Sequence, residues 1–393
     1  MNASASIYLD YAATTPLDPR VEEAMQPFGR TTFGNPSSLH AFGRKARAAL
    51  DAARDRVADL LGARAEEIVF TSGGTEADNL AVKGVARAMK GRGTHIVTTA
   101  LEHHAVLEAC QALEAEGFTV TYLKPNAEGL ISPADVEQAI VPETVLVSVM
   151  YANNEVGTVQ PIAEIGRLCR MLRVPFHTDA VQAAGELLLN VRELQVDLLT
   201  LSAHKVYGPK GAGALYVRSG TRLRPLIDGG GQEHERRAGT ENVAGLVGFA
   251  AALELAREPE ETARILALRE MLIDGLLAVP DSRLHASCTQ RLANNVNVGF
   301  AGVPGETLLL ALDLAGIAVS TGAACAAGAV EPSHVLQSMG YSRIRAQESL
   351  RLTLGRYTTE AEVRAVIETV AAQVARLRRH PAPPPPAHDE CPS

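Results

Sequence analysis

From about residue 40 to residue 217 the chain alternates between two periodicities, and this alternation limits the folds open to it. Phe42, Ala46, Ala49, Leu50, Ala53, Val57, Leu60 and Leu61 recur at helical spacing. EIVFT (67–71) then reads as a short buried strand, and a helix follows over roughly 75–90. THIVTTA (94–100), FTVTYL (118–123), TVLVSVMY (144–151) and VPFHT (174–178) repeat the strand pattern, with helices to about 116, over 132–140 and over 161–173 between them. VDLLTLSA and GALYV add two more strands. Short apolar strands separated by helices predict an α/β fold, with a mainly parallel sheet covered by helices on both faces.

After about residue 255 the rhythm changes. Long Ala/Leu/Arg/Glu helices are expected across 239–278, and the strands NNVNVGF and LRLTLG flank a helix at 304–315. A last helix carries Val363, Val366, Ile367, Val370, Val374 and Leu377 on one face. At 393 residues the chain exceeds one typical core. The expected division is a large domain over 15–255 and a smaller α+β domain over 1–14 and 256–380. The tail 381–393 is proline-rich, and disorder is expected there.

The net charge of −8 argues against nucleic acid as the main ligand, since phosphate backbones select basic surfaces. No apolar run reaches spanning length, and MNASASIYLD lacks the features of a signal peptide. The five cysteines, Cys110, Cys169, Cys288, Cys325 and Cys391, are odd in number and widely spaced. They form neither a disulfide framework nor a zinc pattern, so a reducing cytoplasm is the expected compartment.

The chemistry-bearing residues cluster where strands end, which is where open α/β sheets bind ligands. TSGGTEADN (71–79) joins a strand to a helix. Gly73 and Gly74 let the backbone approach an anion, and Thr75 and the free helix N–H groups can hold it. An ordinary glycine turn capped by Thr75 is the other reading. Asp179, in FHTDAVQ (176–182), can hold a protonated ring nitrogen or can simply cap the next turn, with Gln182 three residues on. Lys205, in LSAHKVYGPKG (201–211), is one of only six lysines and follows an apolar strand. A desolvated lysine there becomes a nucleophilic amine suited to Schiff-base chemistry, unless its stem only snorkels.

His103 or His104, in LEHHAV, can stack on a planar ring or move protons, or can be surface residues at a helix start. Asn153 and Asn154 lie at another strand end. GGGQEHERRAGTEN (229–242) suits anion contact through its glycines, arginines and Thr240, or is a solvated loop. Arg351 alternates with apolar residues in ESLRLTLGR, which calls for a carboxylate partner, from a ligand or from the chain itself. Cys325 sits in STGAACAAGAVEPSH (320–334) among small residues, as a small buried hydrophobe or as a nucleophile on a mobile arm.

Taken together, YLDYAATTP, GNPSSLH, TSGGTEADN, EHHAV, YANNEVGTVQPI, HTDAVQAAG, SAHKVYGPKG, RRAGTENV, STGAAC and EPSHVL resemble the NifS/IscS-type cysteine desulfurases over about residues 6–375. These are fold-type I enzymes dependent on pyridoxal 5′-phosphate (PLP). The resemblance implies that Lys205 bonds PLP, that Asp179 pairs with the pyridine nitrogen and that Gln182 meets the phenolic oxygen. It implies that His103 stacks on the ring and aids proton transfer. Gly74, Thr75, Ser202 and His204 would bind the phosphate, and Thr240 would reach the phosphate of a neighbouring subunit in a homodimer. Asn154 would lie near ring and substrate, and Arg351 would hold the substrate carboxylate. Cys325 would carry the persulfide and, through it, is a candidate transient ligand of an iron–sulfur cluster. The implied reaction takes sulfur from L-cysteine, leaves L-alanine and passes the sulfur to an acceptor such as an iron–sulfur scaffold protein. A selenocysteine lyase or a small-amino-acid aminotransferase of the same fold is the alternative. The chain departs from the family in reading QEHER where many relatives read QERG, and in its proline-rich tail.

Overall fold

The computed structural model of the chain describes residues 6–256, 259–322 and 331–379. Cys325, Cys391 and the proline-rich tail lie outside the described residues. In chain order the strands are β1 (Ile7–Tyr8), β2 (Ile68–Thr71), β3 (His95–Thr99), β4 (Thr119–Leu123), β5 (Thr144–Ser148) and β6 (Phe176–Asp179). They continue with β7 (Leu198–Ser202), β8 (Gly213–Val217), β9 (Ser282–Leu284), β10 (Asn295–Phe300), β11 (Ile317–Ala318) and β12 (Ser349–Thr353).

Seven strands form the main sheet in the order β2-β8-β7-β6-β5-β3-β4. The run from β7 to β4 is parallel, and β8 is antiparallel to both neighbours. The alternating pattern is thus realised, with β8 as the inverted exception: the short turn after Lys205 leaves no helix to carry the chain back across the sheet. Two antiparallel steps return β2 to the direction of β7. The carboxyl ends of β2, β3, β5, β6 and β7 therefore share one edge. Strand order reverses between β3 and β5, and such a switch point opens a crevice at that edge.

Both faces of the sheet are covered. Helix Ala41–Leu61 buries Ala46, Leu50, Ala53, Val57 and Leu61 at helical spacing. It ends at Gly62, whose φ of 66° is the left-handed cap that glycine adopts without a Cβ clash. Helix Gly74–Met89 buries Ala77, Leu80, Ala81 and Val85 against the other side, with Val69, Ile96, Leu146 and Leu215.

A separate apolar cluster gathers Leu9, Leu272, Val298, Phe300, Leu352 and the Val363, Val366, Val370 and Val374 face of helix Glu360–Arg379. It is backed by the antiparallel sheet β12-β10-β9. The parallel pairing of β1 with β11 brings the N-terminal residues onto it. The helical stretch expected over 239–278 is two helices, Val243–Leu255 and Pro259–Leu277. Asn242 caps the first of them from the Gly245 N–H at 3.1 Å, so residues 239–242 stay outside it. Among the described residues no helix is long and apolar enough to cross a membrane.

One segment is held in an unfavourable backbone conformation. Glu233, His234 and Glu235 are consecutive non-glycine residues in the left-handed region, with φ of 48°, 57° and 62°. Each costs about 1–2 kcal/mol. A buried fork offsets this, in which Arg54 Nη2 and Nη1 donate to Glu233 Oε1 and Oε2 at 2.6 and 2.7 Å. The Phe70 N–H donates to Oε2 as well. Counted from Gln232, the family's QERG places glycine where this chain has the exposed Glu235. Glu235→Gly should therefore stabilise the fold by about 0.5–1 kcal/mol, the relief of the Cβ clash less the added freedom of the unfolded chain. A urea titration at fixed protein concentration measures it, and a loss of stability would refute the strain.

Candidate active site

Lys205 closes the short turn Ala203–Lys205 that follows β7. Its Nζ donates to the carbonyls of Ala12 and Ala13 at 2.6 and 2.8 Å. Burial pushes its pKa down to about 8, and Arg351 adds to the effect against Asp10 and Asp179. About one amine in ten is then neutral at pH 7, against about one in several thousand for an ordinary lysine. The turn has made this amine a usable nucleophile and base.

Asp179 ends β6 and is 6% exposed. Burial raises its pKa, while the Val181 N–H, donated to Oδ1 at 2.9 Å, and the nearby His103 and Lys205 hold it down. This carboxylate has few groups to neutralise it, so a cationic ring nitrogen would be welcome. His103 caps helix His104–Ala115, its Nδ1 accepting the Ala105 N–H at 3.1 Å. Its neutral ring therefore carries the proton on Nε2. Burial lowers its pKa, Lys205 and His104 lower it further, and Asp179 opposes them. The structure separates the histidine pair: His103 lines the cavity, whereas His104 lies against His334, with ring centroids 4.9 Å apart.

The anion end forms where β2 passes into helix Gly74–Met89. Gly73 has a φ of 153°. A Cβ on Gly74 would stand 2.9 Å from Val181 Cγ2, so the backbone comes close to its neighbour only as glycine. Ser202 Oγ is buried without a hydrogen-bond partner, and a buried orphan hydroxyl is costly unless a ligand completes it. His204 Nδ1 meets Thr14 Oγ1 at 3.1 Å, and burial pushes its pKa to about 4, with Lys205 and Lys210 adding.

These groups share one cavity of about 330 Å³. Gly74, Thr75, His103, Asn154, Asp179, Gln182, Ser202, His204, Lys205 and Arg351 all line it. Thr240 does not line it and is exposed. Gln182 Nε2 donates to Ala12 O at 3.0 Å. Arg351 Nη2 holds Asp10 Oδ1 at 2.7 Å, and Nη1 donates to Asn154 O at 3.0 Å. The carboxylate partner its sequence context calls for is, in this chain alone, Asp10. Its Nε is buried without a partner.

Four carboxylates escape a reading by motif although all four lie inside quoted motifs. Asp78 lines the cavity, and its Oδ1 lies 3.6 Å from His177 Nε2. Burial raises its pKa well above the carboxylate range, with Asp179 adding. Glu102 accepts from Thr99 Oγ1 and the Met150 N–H, and burial lifts it to about 8. Glu155 accepts from Ser333 Oγ and is raised to about 7 by burial, against Ser333 and Arg351. Asp10 is the fourth. Burial by the fold, rather than a sequence spacing, makes the first three notable, and the pairing with Arg351 makes Asp10 so.

The class-V aminotransferase family model matches residues 7–366. The chain belongs to that family. Within it the chain groups with the NifS/IscS-type proteins. It is 49% identical over 375 residues to the cysteine desulfurase IscS of Dictyoglomus turgidum, covering 95% of each chain. It is 51% identical over 382 residues to that of Clostridium botulinum, covering 96% of each. A solved NifS-like protein superposes with a TM-score of 0.89 at 38% identity, over 95% of this chain and all of that one. SspA, solved in complex with cysteine, superposes with a TM-score of 0.81 at 40% identity, over 90% of this chain and all of that one.

The residues present fit PLP, the cofactor of this family. An orphan hydroxyl and a glycine cradle at a helix N-terminus suit its phosphate. A buried carboxylate suits its ring nitrogen, and a lysine with a depressed pKa suits its aldehyde.

Proposed function

We propose that this chain is a PLP-dependent cysteine desulfurase, working as a cytoplasmic homodimer that hands sulfur to an iron–sulfur scaffold protein. The observation that carries the reading is the cavity itself. It sets an amine of pKa about 8 beside a buried carboxylate and an unpartnered hydroxyl, in a chain about half identical to cysteine desulfurases over nearly its whole length. The widely spaced cysteines support a reducing compartment. The exposure of Thr240 supports a second copy, since a residue of that motif would then serve the neighbouring cavity.

When bound, PLP supplies an electron sink for the pair left at the substrate Cα. The chain's own residues do the rest. Lys205 holds the cofactor, then takes the Cα proton with its neutral amine. Asp179 keeps the ring nitrogen protonated by offering a buried negative charge. His103 presents Nε2–H for proton movement at the substrate. Arg351 exchanges Asp10 for the substrate carboxylate, and its orphan Nε offers one more donor. Cys325, as thiolate, attacks the substrate sulfur. The Cβ–S bond breaks, an S–S bond forms on Cys325, and protons return to carbon to give alanine. Carbon is reduced by the two electrons that the sulfur gives up, so no outside oxidant or reductant is needed.

The test is mass spectrometry of the purified protein after L-cysteine, with and without reductant. A reductant-labile gain of one sulfur on the Cys325 peptide, with alanine released, is expected. Protein that holds PLP on Lys205 but gains no sulfur would move the activity to an aminotransferase or a lyase.

A further inference from the structure

A negative charge stands next to the anion end of the cavity without lining it. Glu76 stands at the third position of helix Gly74–Met89, directly after Gly74 and Thr75. Gly73, as the capping residue, has no side chain to satisfy the free N–H groups. No other side chain caps the helix either; Glu76 folds back past its end, and its Oε2 accepts the Ser72 N–H at 2.8 Å. The carboxylate thus fixes the bend from β2 into the helix. It also sets a negative charge in the first turn of the helix, near the positive end that a phosphate would use.

Arg237 answers that charge. It comes from the strained segment 229–242, and its Nε donates to Glu76 Oε1 at 2.8 Å and its Nη2 to Oε2 at 3.2 Å. The two side chains are only 22% and 16% exposed, so water screens them weakly. Glu76 stays below the usual carboxylate range even though burial acts to raise it, because Arg237 and the Ser72 N–H hold its anion. Glu233 and Glu241 also act on Arg237. Glu233 already has Arg54, so Glu76 is the acid that depends on Arg237 most directly.

We propose that Arg237 is a positioning residue for cofactor capture: it neutralises Glu76, so that one helix N-terminus can carry a carboxylate in its first turn and still receive a phosphate dianion. The proposal rests on the reading of Gly74, Thr75 and Ser202 as the phosphate site. Its consequence is a sign that a merely structural arginine would not give. Removing Arg237 alone exposes the phosphate to Glu76. Removing both charges together restores the site.

The experiment titrates the cofactor-stripped protein with PLP and, separately, with pyridoxal, which lacks the phosphate. Arg237→Gln should bind PLP about tenfold more weakly and pyridoxal unchanged. Glu76→Gln, which keeps an acceptor for Ser72, should bind PLP at least as well as the native chain. The double variant should recover to within about threefold of native. Arg237→Lys should recover most of the loss, and Arg237→Met serves in place of Arg237→Gln should that variant not fold. A tenfold loss in the lysine variant, a double variant as weak as Arg237→Gln, or an equal loss of PLP and pyridoxal would each overturn the proposal. A native chain that binds PLP no better than pyridoxal would instead overturn the phosphate site on which it rests.

Discussion

Cys325→Ser is expected to retain PLP as the native chain does and to gain no sulfur from L-cysteine. The substitution leaves in place every described group that lines the cavity. It therefore leaves the amine of Lys205, the carboxylate of Asp179 and the phosphate cradle intact. What it removes is a group that can be an anion near neutral pH and can bond a second sulfur. A serine hydroxyl does neither. Loss of a nucleophile typically costs several orders of magnitude, so persulfide and alanine formation should fall by about a thousandfold or more. The spectral response of the bound cofactor to L-cysteine should persist, because substrate binding and Cα proton removal precede the sulfur step. Measuring the three quantities on one preparation separates the steps. Normal sulfur delivery by this variant would remove Cys325 from the reaction and leave the cofactor assignment standing.

The parts of this protein that sequence reveals are those written in local periodicity. β2 to β8 and the helices between them follow from runs of Val, Ile and Leu and from the 3.6 period, because each must bury one face. The candidate site residues Asp179 and Lys205 could be located for the same reason: each stands at the end of a strand whose limits are legible, whereas Ser202 came only from the family resemblance. The two-residue pair β1 and β11 could not be found this way. Two residues carry no period, and their pairing joins positions more than three hundred residues apart. A comparable distance hides the Arg351–Asp10 pair, and a separation of 161 residues hides the link from Arg237 to Glu76. The inverted β8 reads like any other apolar strand, since direction is set by the length of the connection and not by composition. Asp78, Glu102 and Glu155 are ordinary acids in sequence. Only burial by other elements turns them into groups with raised pKa values.

Lys205→Met should yield protein without bound PLP and with desulfurase turnover reduced by about four orders of magnitude or more, since in the proposed reaction one side chain both holds the cofactor and moves the Cα proton. The pH behaviour of the cofactor-stripped protein tests the cause rather than the loss. The folded pKa of Lys205 is about 8, against 10.5 for an ordinary lysine. Below pH 8 the amine is charged in both the folded and unfolded states, and burying that charge costs the fold on the order of 3 kcal/mol. Between pH 8 and 10.5 the unfolded chain binds the proton and the folded chain does not, so stability rises with pH through that window. The methionine variant lacks this term. Its stability advantage over the native chain should be greatest below pH 8 and should fade by about pH 10.5, as read from paired urea titrations. PLP capture by the native chain should accelerate about tenfold per pH unit below 8 and level off above it, since only the neutral amine reacts. A capture rate that keeps rising to pH 10, with no convergence of the two stability curves, would show that the turn after β7 does not desolvate this amine. The chain would then lack the one feature that makes Lys205 differ from its other five lysines.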